Sequence, residues 1–211
     1  MASNKPAGFE LQIPISEETI RSLHVGDQVR LYGTVVTARD AAHKYMKDTF
    51  FQGAPISPAD QLIYDELARL WNGGVMYHCG PVVAQDEAGR WRFVSAGPTT
   101  STREEPYEYE VIQRFGLRAV IGKGGMGPKT LAACQQHGAV YLHAVGGAAT
   151  LIASYVKEVL AVYKKEELGV PEAFWVVRVK GFPAVVTMDS HGASLHEKLL
   201  EESRERLNAL L

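Results

Sequence analysis

The sequence has very few cysteines, and this limits the sites that the chain can build alone. Only Cys79 and Cys134 occur among 211 residues, and neither belongs to a CxxC pair. Two cysteines are too few for a disulfide scaffold and too few for an iron–sulfur cluster held by three or four thiolates. We expect both to be small buried residues, and we expect the protein in the reducing cytoplasm.

Strong net charge is also missing. The formal net charge is −2, which gives no reason to expect nucleic acid or an anionic membrane as a partner. No basic and then apolar leader opens the sequence, so no secretion signal is expected. The uncharged stretch 138–156 approaches the length of a membrane span, but Gly146-Gly147 interrupts it. We therefore predict a buried strand, a glycine turn and a helix there.

Periodicity predicts a mixture of strands and helices along the chain. Alternating or short apolar runs predict the strands, and capped segments with helical spacing predict the helices. The fold class is therefore α/β or mixed α+β with a mixed sheet, in one domain over residues 9–211 after a frayed, polar start at 1–8. The predicted strands are 9–14, 28–36, 75–78, 91–96, 118–121, 139–144, 174–179 and 184–188; the predicted helices are 17–23, 39–47, 59–71, 104–115, 129–137, 148–155 and 194–211.

Acidic residues are absent from the middle of the chain. Residues 111–157 contain no Asp or Glu but five cations, in a chain that is slightly acidic overall. Within this region the loop Gly122-Lys123-Gly124-Gly125-Met126-Gly127 follows a predicted strand and precedes a predicted helix. Backbone N–H groups of Gly122 and Gly124, the helix dipole and the Lys123 ammonium would together favour an anionic ligand.

The same loop fits the GxGxxG spelling of a dinucleotide site. That fingerprint also requires an acidic residue about 20 positions downstream for the ribose hydroxyls, and none is present. A phosphate or NADP-binding module therefore remains an alternative, as does a plain tight turn with a solvated lysine. The loop alone does not decide whether the anion is a phosphate or a carboxylate.

A second cluster opens the helix predicted from residue 39. Arg39 and His43 are four positions apart and share a helix face. A cation at a helix start is unfavourable unless an anion lies in front of it, so Arg39 is a candidate anion ligand. The alternatives are an ordinary ion pair for Arg39 and a structural hydrogen bond for His43, which we keep as a second-rank candidate.

A third cluster is the hydroxyl run Thr99-Thr100-Ser101-Thr102 followed by Arg103. A helix cap needs one hydroxyl, whereas four in a row indicate the wall of a polar pocket. An elaborate cap for the next helix is the alternative. Arg39, Arg103 and Lys123 would then be three separated cations at loop–helix junctions, an arrangement suited to holding both ends of a C4 dicarboxylate.

These motifs resemble those of one family in both sequence and order. The sequence is similar to the β subunit, or the equivalent C-terminal domain, of iron–sulfur-dependent class I fumarate hydratases and L-tartrate dehydratases. The resemblance covers about residues 10–196. The matching segments are TARDAAHK (37–44), GPTTSTR (97–103), IGKGGMGP (121–128), VGGAATL (145–151), FPA (182–184) and DSHG (189–192).

The resemblance implies a swivelling β/β/α domain and a hydro-lyase reaction. It implies that Arg39, Arg103 and Lys123 bind the substrate, and that Thr99 is the base that removes the carbon-bound proton, with Thr100 as a second-rank candidate. It further implies a 4Fe–4S cluster, acting as a Lewis acid, that is held by a larger cysteine-bearing α subunit, so this chain would bind no metal itself. The family also implies an αβ unit doubled into a heterotetramer.

Small sequence differences within these motifs distinguish the two substrates of this family. TARDAAHK favours fumarate, with hydration to L-malate in the tricarboxylic acid cycle. The GPTTSTR and IGKGGMGP segments are closer to the tartrate enzymes, which convert tartrate to oxaloacetate. We predict fumarate and keep tartrate as the alternative.

Overall fold

The computed structural model describes residues 8–210. Nine strands, eight α-helices and one 3-10 turn (Ser101–Arg103) alternate along these residues. The strands are β1 Phe9–Gln12, β2 Gln28–Thr37, β3 Val75–Tyr77, β4 Val82–Gln85, β5 Trp91–Ser95, β6 Ala119–Gly122, β7 Val140–His143, β8 Val156–Tyr163 and β9 Phe174–Met188. The helices are α1 Glu17–Arg21, α2 Asp40–Phe50, α3 Pro58–Trp71, α4 Glu108–Phe115, α5 Pro128–His137, α6 Ala149–Ala153, α7 Lys165–Leu168 and α8 Leu195–Asn208.

Seven strands form a mixed sheet, as the sequence predicts. Strands β2, β3, β6 and β7 lie side by side in this order and are parallel to one another. Strand β9 runs antiparallel to both β2 and β7. Because β9 joins the first and last strands of the parallel set, these five strands close into a ring. Strands β1 and β8 attach outside it, and β4 and β5 form a separate hairpin.

Successive residues of the ring strands point into two different apolar cores. Val35 and Val75 belong to one core, which also receives side chains from the hairpin, α1 and α6. Val36 and Met76 belong to the other, which is covered by α2, α3, α4 and α5. This alternation is what period-two strand geometry requires when both faces of a sheet are covered.

The prediction of two separate late strands is wrong. Gly181-Phe182-Pro183 does not turn the chain; it lies inside the fifteen-residue strand β9. The register with β2 shifts where Lys180 pairs with Tyr32 and Phe182 with Leu31, so Gly181, with φ of +69°, is the extra residue of a bulge. A glycine takes this left-handed conformation at little cost, which lets the strand continue.

Other boundaries also differ. The helix predicted from Glu104 begins at Glu108, because residues 101–107 form a 3-10 turn and tight turns that include Pro106. Strands β4 and β8 and the short α7 were not predicted, and the helix predicted over 148–155 is shortened to Ala149–Ala153. The expected frayed start lies outside the described residues except for Gly8, which packs against the backbone of Gln28.

Candidate active site

The candidate residues gather where the parallel strands end. Strand β2 ends two residues before Arg39, β3 ends just before His78, and β6 ends just before Lys123. The carboxyl ends of neighbouring parallel strands lie side by side, and ligand sites of α/β proteins form at this edge. Thr99 joins them because its N–H donates to the carbonyl oxygen of His78 at 2.8 Å.

Arg39 is the N-cap residue of α2 and is held by an acid from the far end of the chain. Its Nη1 lies 3.1 Å from Oε1 of Glu172, and the two side chains are only 19% and 21% exposed. Glu172 Oε2 also accepts from the N–H of Ala41. A cation at a helix start is stabilised by an anion in front of it, and Glu172 supplies one from within the protein. A planar guanidinium fixed on one side can still present its other donors to a ligand.

Thr99 and Lys123 are joined through their backbones. The N–H of Lys123 donates to the carbonyl oxygen of Thr99 at 3.1 Å, and the N–H of Ser101 donates to that of Lys123 at 3.0 Å. Among the described residues, Lys123 takes part in no ion pair. The Oγ1 atom of Thr99 is buried and has no hydrogen-bond partner within residues 8–210. Such an unsatisfied hydroxyl costs about 1–3 kcal/mol, which a functional position tolerates.

Arg103 lies at the same edge but is more exposed. Its side chain is 61% exposed and its Nη1 lies 3.6 Å from Oδ2 of Asp40, the first residue of α2. The other oxygen of Asp40 faces the buried carboxyl group of Glu104. Burial, and then the hydrogen bond with Asp40, raise the pKa of Glu104 to about 9. Near neutral pH Glu104 is therefore protonated and donates to Asp40, which satisfies oxygens that otherwise lack a donor.

The hydroxyl run is not a helix cap. No side chain caps the 3-10 turn that it enters, and α4 begins five residues after Arg103 without a side-chain cap. Ser101 is buried in a hydrogen-bond network, whereas Thr100 is exposed. The interpretation as a polar wall is therefore closer to the structure, with Thr99 and Ser101 as its inward members.

The expectation that the N-terminus of α5 binds an external anion is wrong. The carboxylate of Glu105 already occupies it, accepting from the N–H groups of Gly127, Lys129 and Thr130 at 2.8, 3.0 and 3.3 Å. The Thr130 hydroxyl donates to it as well. The acid lies just outside the acid-free stretch, so the sequence pattern did not reveal it. A phosphate of a dinucleotide would have to displace this carboxylate.

Gly122 and Gly124 have different structural roles in the loop. Gly122 lies in β6, and a Cβ added there would stand 1.9 Å from Oγ of Ser101 and 2.8 Å from the hydroxyl oxygen of Tyr141. Its small size therefore makes room for two hydroxyl groups. Gly124 is exposed and has φ of +82°, a conformation that favours glycine. A direct contact of Gly122 or Gly124 with substrate stays a prediction.

A buried polar cluster behind these residues was largely missed. His43, the second-rank candidate, is fully buried together with His78, Glu108, Ser101 and Tyr141. Both histidines contact Oε2 of Glu108, at 2.8 and 3.0 Å. Ligands of one tetrahedral zinc stand about 3.3 Å apart, so these shorter contacts are hydrogen bonds. Their separations along the sequence follow no motif, which is why sequence reasoning found only His43.

The two cysteines do not fit the iron–sulfur cluster that the resemblance implies. Cys79 and Cys134 are fully buried, and they belong to the two different cores. Burial raises the pKa of Cys79 to about 12 and that of Cys134 still further. Cluster ligation requires accessible, converging thiolates, and these thiols are neither.

The chain belongs to the fumarase C-terminus family, whose model matches residues 2–199. It is 52% identical over 198 residues to a putative class I fumarate hydratase of Geobacillus stearothermophilus, covering 94% of this chain but 35% of that relative. It is 39% identical over 199 residues to the β subunit of L(+)-tartrate dehydratase of Escherichia coli K12, covering 92% and 91% of the two chains. A putative tartrate dehydratase β subunit of Methanocaldococcus jannaschii is 38% identical over 198 residues.

The family predicted from these motifs is therefore confirmed, and so is the mixed α/β class. The chain spans about a third of the length of the first relative and nearly all of the second. Across residues 8–210, no helix has the length and apolar character needed to cross a bilayer. The predicted strand, glycine turn and helix within 138–156 are all present.

Proposed function

We propose that this chain is the β-type part of a hydro-lyase that hydrates fumarate reversibly to L-malate. The observation that carries the proposal is the convergence of Arg39, Thr99, Arg103 and Lys123 on one edge of the sheet. Lys123 donates its N–H directly to the carbonyl oxygen of Thr99, and Arg103 contacts Asp40, the residue that follows Arg39. A dicarboxylate requires separated cations to hold its two ends, and this edge provides them.

The roles follow from chemistry at each position. The guanidinium groups of Arg39 and Arg103 would bind the two carboxylates, since arginine offers paired donors that match carboxylate geometry. Lys123 would hold an oxygen of the substrate with a charge that no described acid neutralises. Thr99 would take the carbon-bound proton, a role for which a threonine needs help from a neighbouring base. That base would come from the partner subunit.

We assign the 4Fe–4S cluster to a cysteine-bearing α subunit, because the buried thiols of this chain do not fit it. The complex would be an αβ unit, doubled by two-fold symmetry, working in the cytoplasm. The E. coli relative is named as the β subunit of L(+)-tartrate dehydratase, and this name supports a partner of this kind.

Fumarate is favoured over tartrate by the 52% identity to a putative fumarate hydratase against 39% to a tartrate dehydratase subunit. Tartrate dehydration is the second candidate, because the tartrate subunit is matched over 91% of its own length as a separate chain. A phosphate or NADP-binding module is disfavoured, because Glu105 occupies the helix N-terminus that would receive the phosphate.

The test is an anaerobic assay of the chain with and without its cysteine-bearing partner. We expect no activity from the chain alone, and hydration of fumarate with a higher kcat/KM than dehydration of L-tartrate once the partner is added. An isolated, iron-free chain that hydrates fumarate would refute the two-part assignment. A complex that prefers tartrate would transfer the assignment to the second candidate.

A further inference from the structure

Two histidines from different elements meet at one buried carboxylate that the proposed chemistry leaves unused. Nε2 of His43, in α2, lies 2.8 Å from Oε2 of Glu108, in α4. Nε2 of His78, just after β3, lies 3.0 Å from the same oxygen. All three side chains are 0% exposed. Three buried ionisable groups are expensive to maintain, so their arrangement calls for a function.

The partners of His43 define where its protons lie. Nδ1 of His43 faces the carbonyl oxygen of Arg39 at 2.8 Å, and Nε2 faces Glu108. A carbonyl and a carboxylate only accept, so both ring nitrogens carry a proton when Glu108 is ionised. Burial alone would raise the pKa of Glu108, but the hydrogen bonds from His43 and His78 outweigh it and lower that pKa to about 2. The hydrogen-bond partners thus place a donor proton on each ring nitrogen of His43, which faces the Glu108 carboxylate through Nε2.

The partners of His78 continue this series of hydrogen bonds from Glu108 to Tyr141. Burial lowers the pKa of His78, which favours its neutral form. Its Nε2–H donates to Glu108, so its Nδ1 accepts from the hydroxyl of Ser101 at 2.8 Å. The Ser101 oxygen in turn accepts from the hydroxyl of Tyr141, also at 2.8 Å. Every hydrogen bond thus has one donor and one acceptor, which gives a single consistent order.

This series of hydrogen bonds reaches both sides of the candidate site. One end is the carbonyl group of Arg39. On the other side is Ser101, the member before the terminal Tyr141, whose N–H donates to the carbonyl oxygen of Lys123. His78 also binds Thr99 through its backbone carbonyl. Backbone pairing of β2 with β3 and of β3 with β6 sets the spacing of the strands. The buried hydrogen bonds add a side-chain link between the segments that follow these strands, and this link bears on how Arg39 lies relative to Lys123.

We propose that Glu108, together with His43 and His78, is a positioning group that fixes Arg39 relative to Thr99 and Lys123. The inference rests on the proposed function, because positioning is measured through the reaction. Orientation of bound groups within fractions of an ångström controls rate, and a 1 Å displacement can cost about a hundredfold. Glu108 touches no substrate in this scheme and acts only through its neighbours.

The test replaces Glu108 with its near-isosteric amide, Glu108→Gln, in the complex with the α-type partner. The amide keeps the volume but removes the counter-ion of His43. Its neutral oxygen is also a weaker acceptor than the carboxylate oxygen for the two imidazole N–H groups. We expect kcat for fumarate hydration to fall by about 10–100-fold. KM should change by less than about threefold, because the binding cations remain.

Val111→Ala provides the matched control for lost stability. Val111 is fully buried in the same helix, one turn beyond Glu108, and belongs to the apolar core. At a temperature where both variants remain folded, Val111→Ala should keep the native kcat. A Glu108→Gln complex with kcat within twofold of native, or an equal loss in both variants, would overturn the positioning role.

A spectroscopic measurement separates this inference from the proposed function. Imidazole nitrogen NMR of the native chain should show His43 protonated at both nitrogens and His78 protonated at Nε2 only. The opposite tautomer of His78, or a neutral His43, would overturn the hydrogen-bond order whatever the activity. A native complex with the expected spectrum but no fumarate hydration would count against the proposed function and not against the order.

Discussion

Glu105 and Gly127 are held together at the start of α5, where Oε2 of Glu105 accepts from the Gly127 N–H at 2.8 Å. The fit is close, since a Cβ at Gly127 would lie 2.6 Å from Oε1 of Glu105. The carboxylate therefore performs the stabilising role that a bound anion would otherwise have at this helix. One acid from the preceding turn thus offsets part of the charge excess of the central stretch.

Loss of that carboxylate should weaken the fold measurably. We expect Glu105→Gln to lower the free energy of unfolding by about 1–2 kcal/mol, because α5 loses a charged cap with several donors. Urea denaturation followed by circular dichroism would measure it. Glu110→Gln, which removes only a half-exposed pair with Arg114, is the control and should cost less. Equal costs in the two variants would contradict the capping role.

Glu104 should make the protein less stable as pH rises. Its folded pKa of about 9 lies above its ordinary value of 4.5, so the native state binds more protons than the unfolded state between these values. Stability from this group is complete below about pH 4.5 and is lost as pH rises toward 9. Glu104→Gln, whose amide donates to Asp40 at every pH, should therefore stabilise the protein at pH 8 by at least about 1 kcal/mol.

The measurement compares urea midpoints of native and Glu104→Gln proteins at pH 5 and pH 8. The gain should be present at pH 8 and small or absent at pH 5. Glu205→Gln, an exposed position in α8, serves as the control and should show no such difference. A gain of the same size at both pH values would exclude protonation of Glu104 as its origin.

Gly122 should tolerate no side chain. Gly122→Ala brings a methyl group within 1.9 Å of Oγ of Ser101, and neither Ser101 nor Tyr141 is free to move in its buried position. We expect a loss of about 2–3 kcal/mol from overpacking. Gly146→Ala is the control, because its new atom would meet only Cδ of Lys123 at 3.7 Å. Thermal unfolding that ranks the two variants equally would contradict the crowding argument.

Lys123 should be needed for activity and not for folding. In the complex with the α-type partner, Lys123→Ala should lower kcat/KM for fumarate by about 10²–10³, the loss expected for one preorganised charge. Its melting temperature should stay near that of the native protein, since no described acid pairs with it. Lys129→Ala, on the outer face of α5 over the Tyr109 ring, should keep full activity. A comparable loss in both variants would indicate a general charge effect.

Local chemistry explains which parts of the fold were predictable. The strand and helix at β2 and α2 follow from alternation and helical spacing, and both appear within three residues of the predicted bounds. β9 was divided because a Gly-Phe-Pro sequence predicts a turn when its neighbours are unknown. Pairing with β2 on one side overrides that local preference. Strand β8 was missed because its charged Lys157 and Glu158 obscure its alternation at the sheet edge.

The site divides in the same way. Arg39, Thr99, Arg103 and Lys123 stand out in the sequence because cations and hydroxyls next to strand ends have few structural uses. Glu172 and Glu108 do not stand out, since each is an ordinary acid until the fold brings it to its partner. Contacts between residues that are 30, 65 or 133 positions apart follow from topology, which sequence periodicity does not encode.

The closure of the ring by β9 has a consequence for how the protein is made. Residue 28 pairs with residue 185, so the ring closes only after β9 has been synthesised and has left the ribosome. Until then one edge of β2 presents unpaired N–H and carbonyl groups to any neighbouring chain. Contacts of such long sequence separation form late and slowly. Closure of the ring therefore waits for β9, and until β9 pairs with it the β2 edge is open to pairing with another chain.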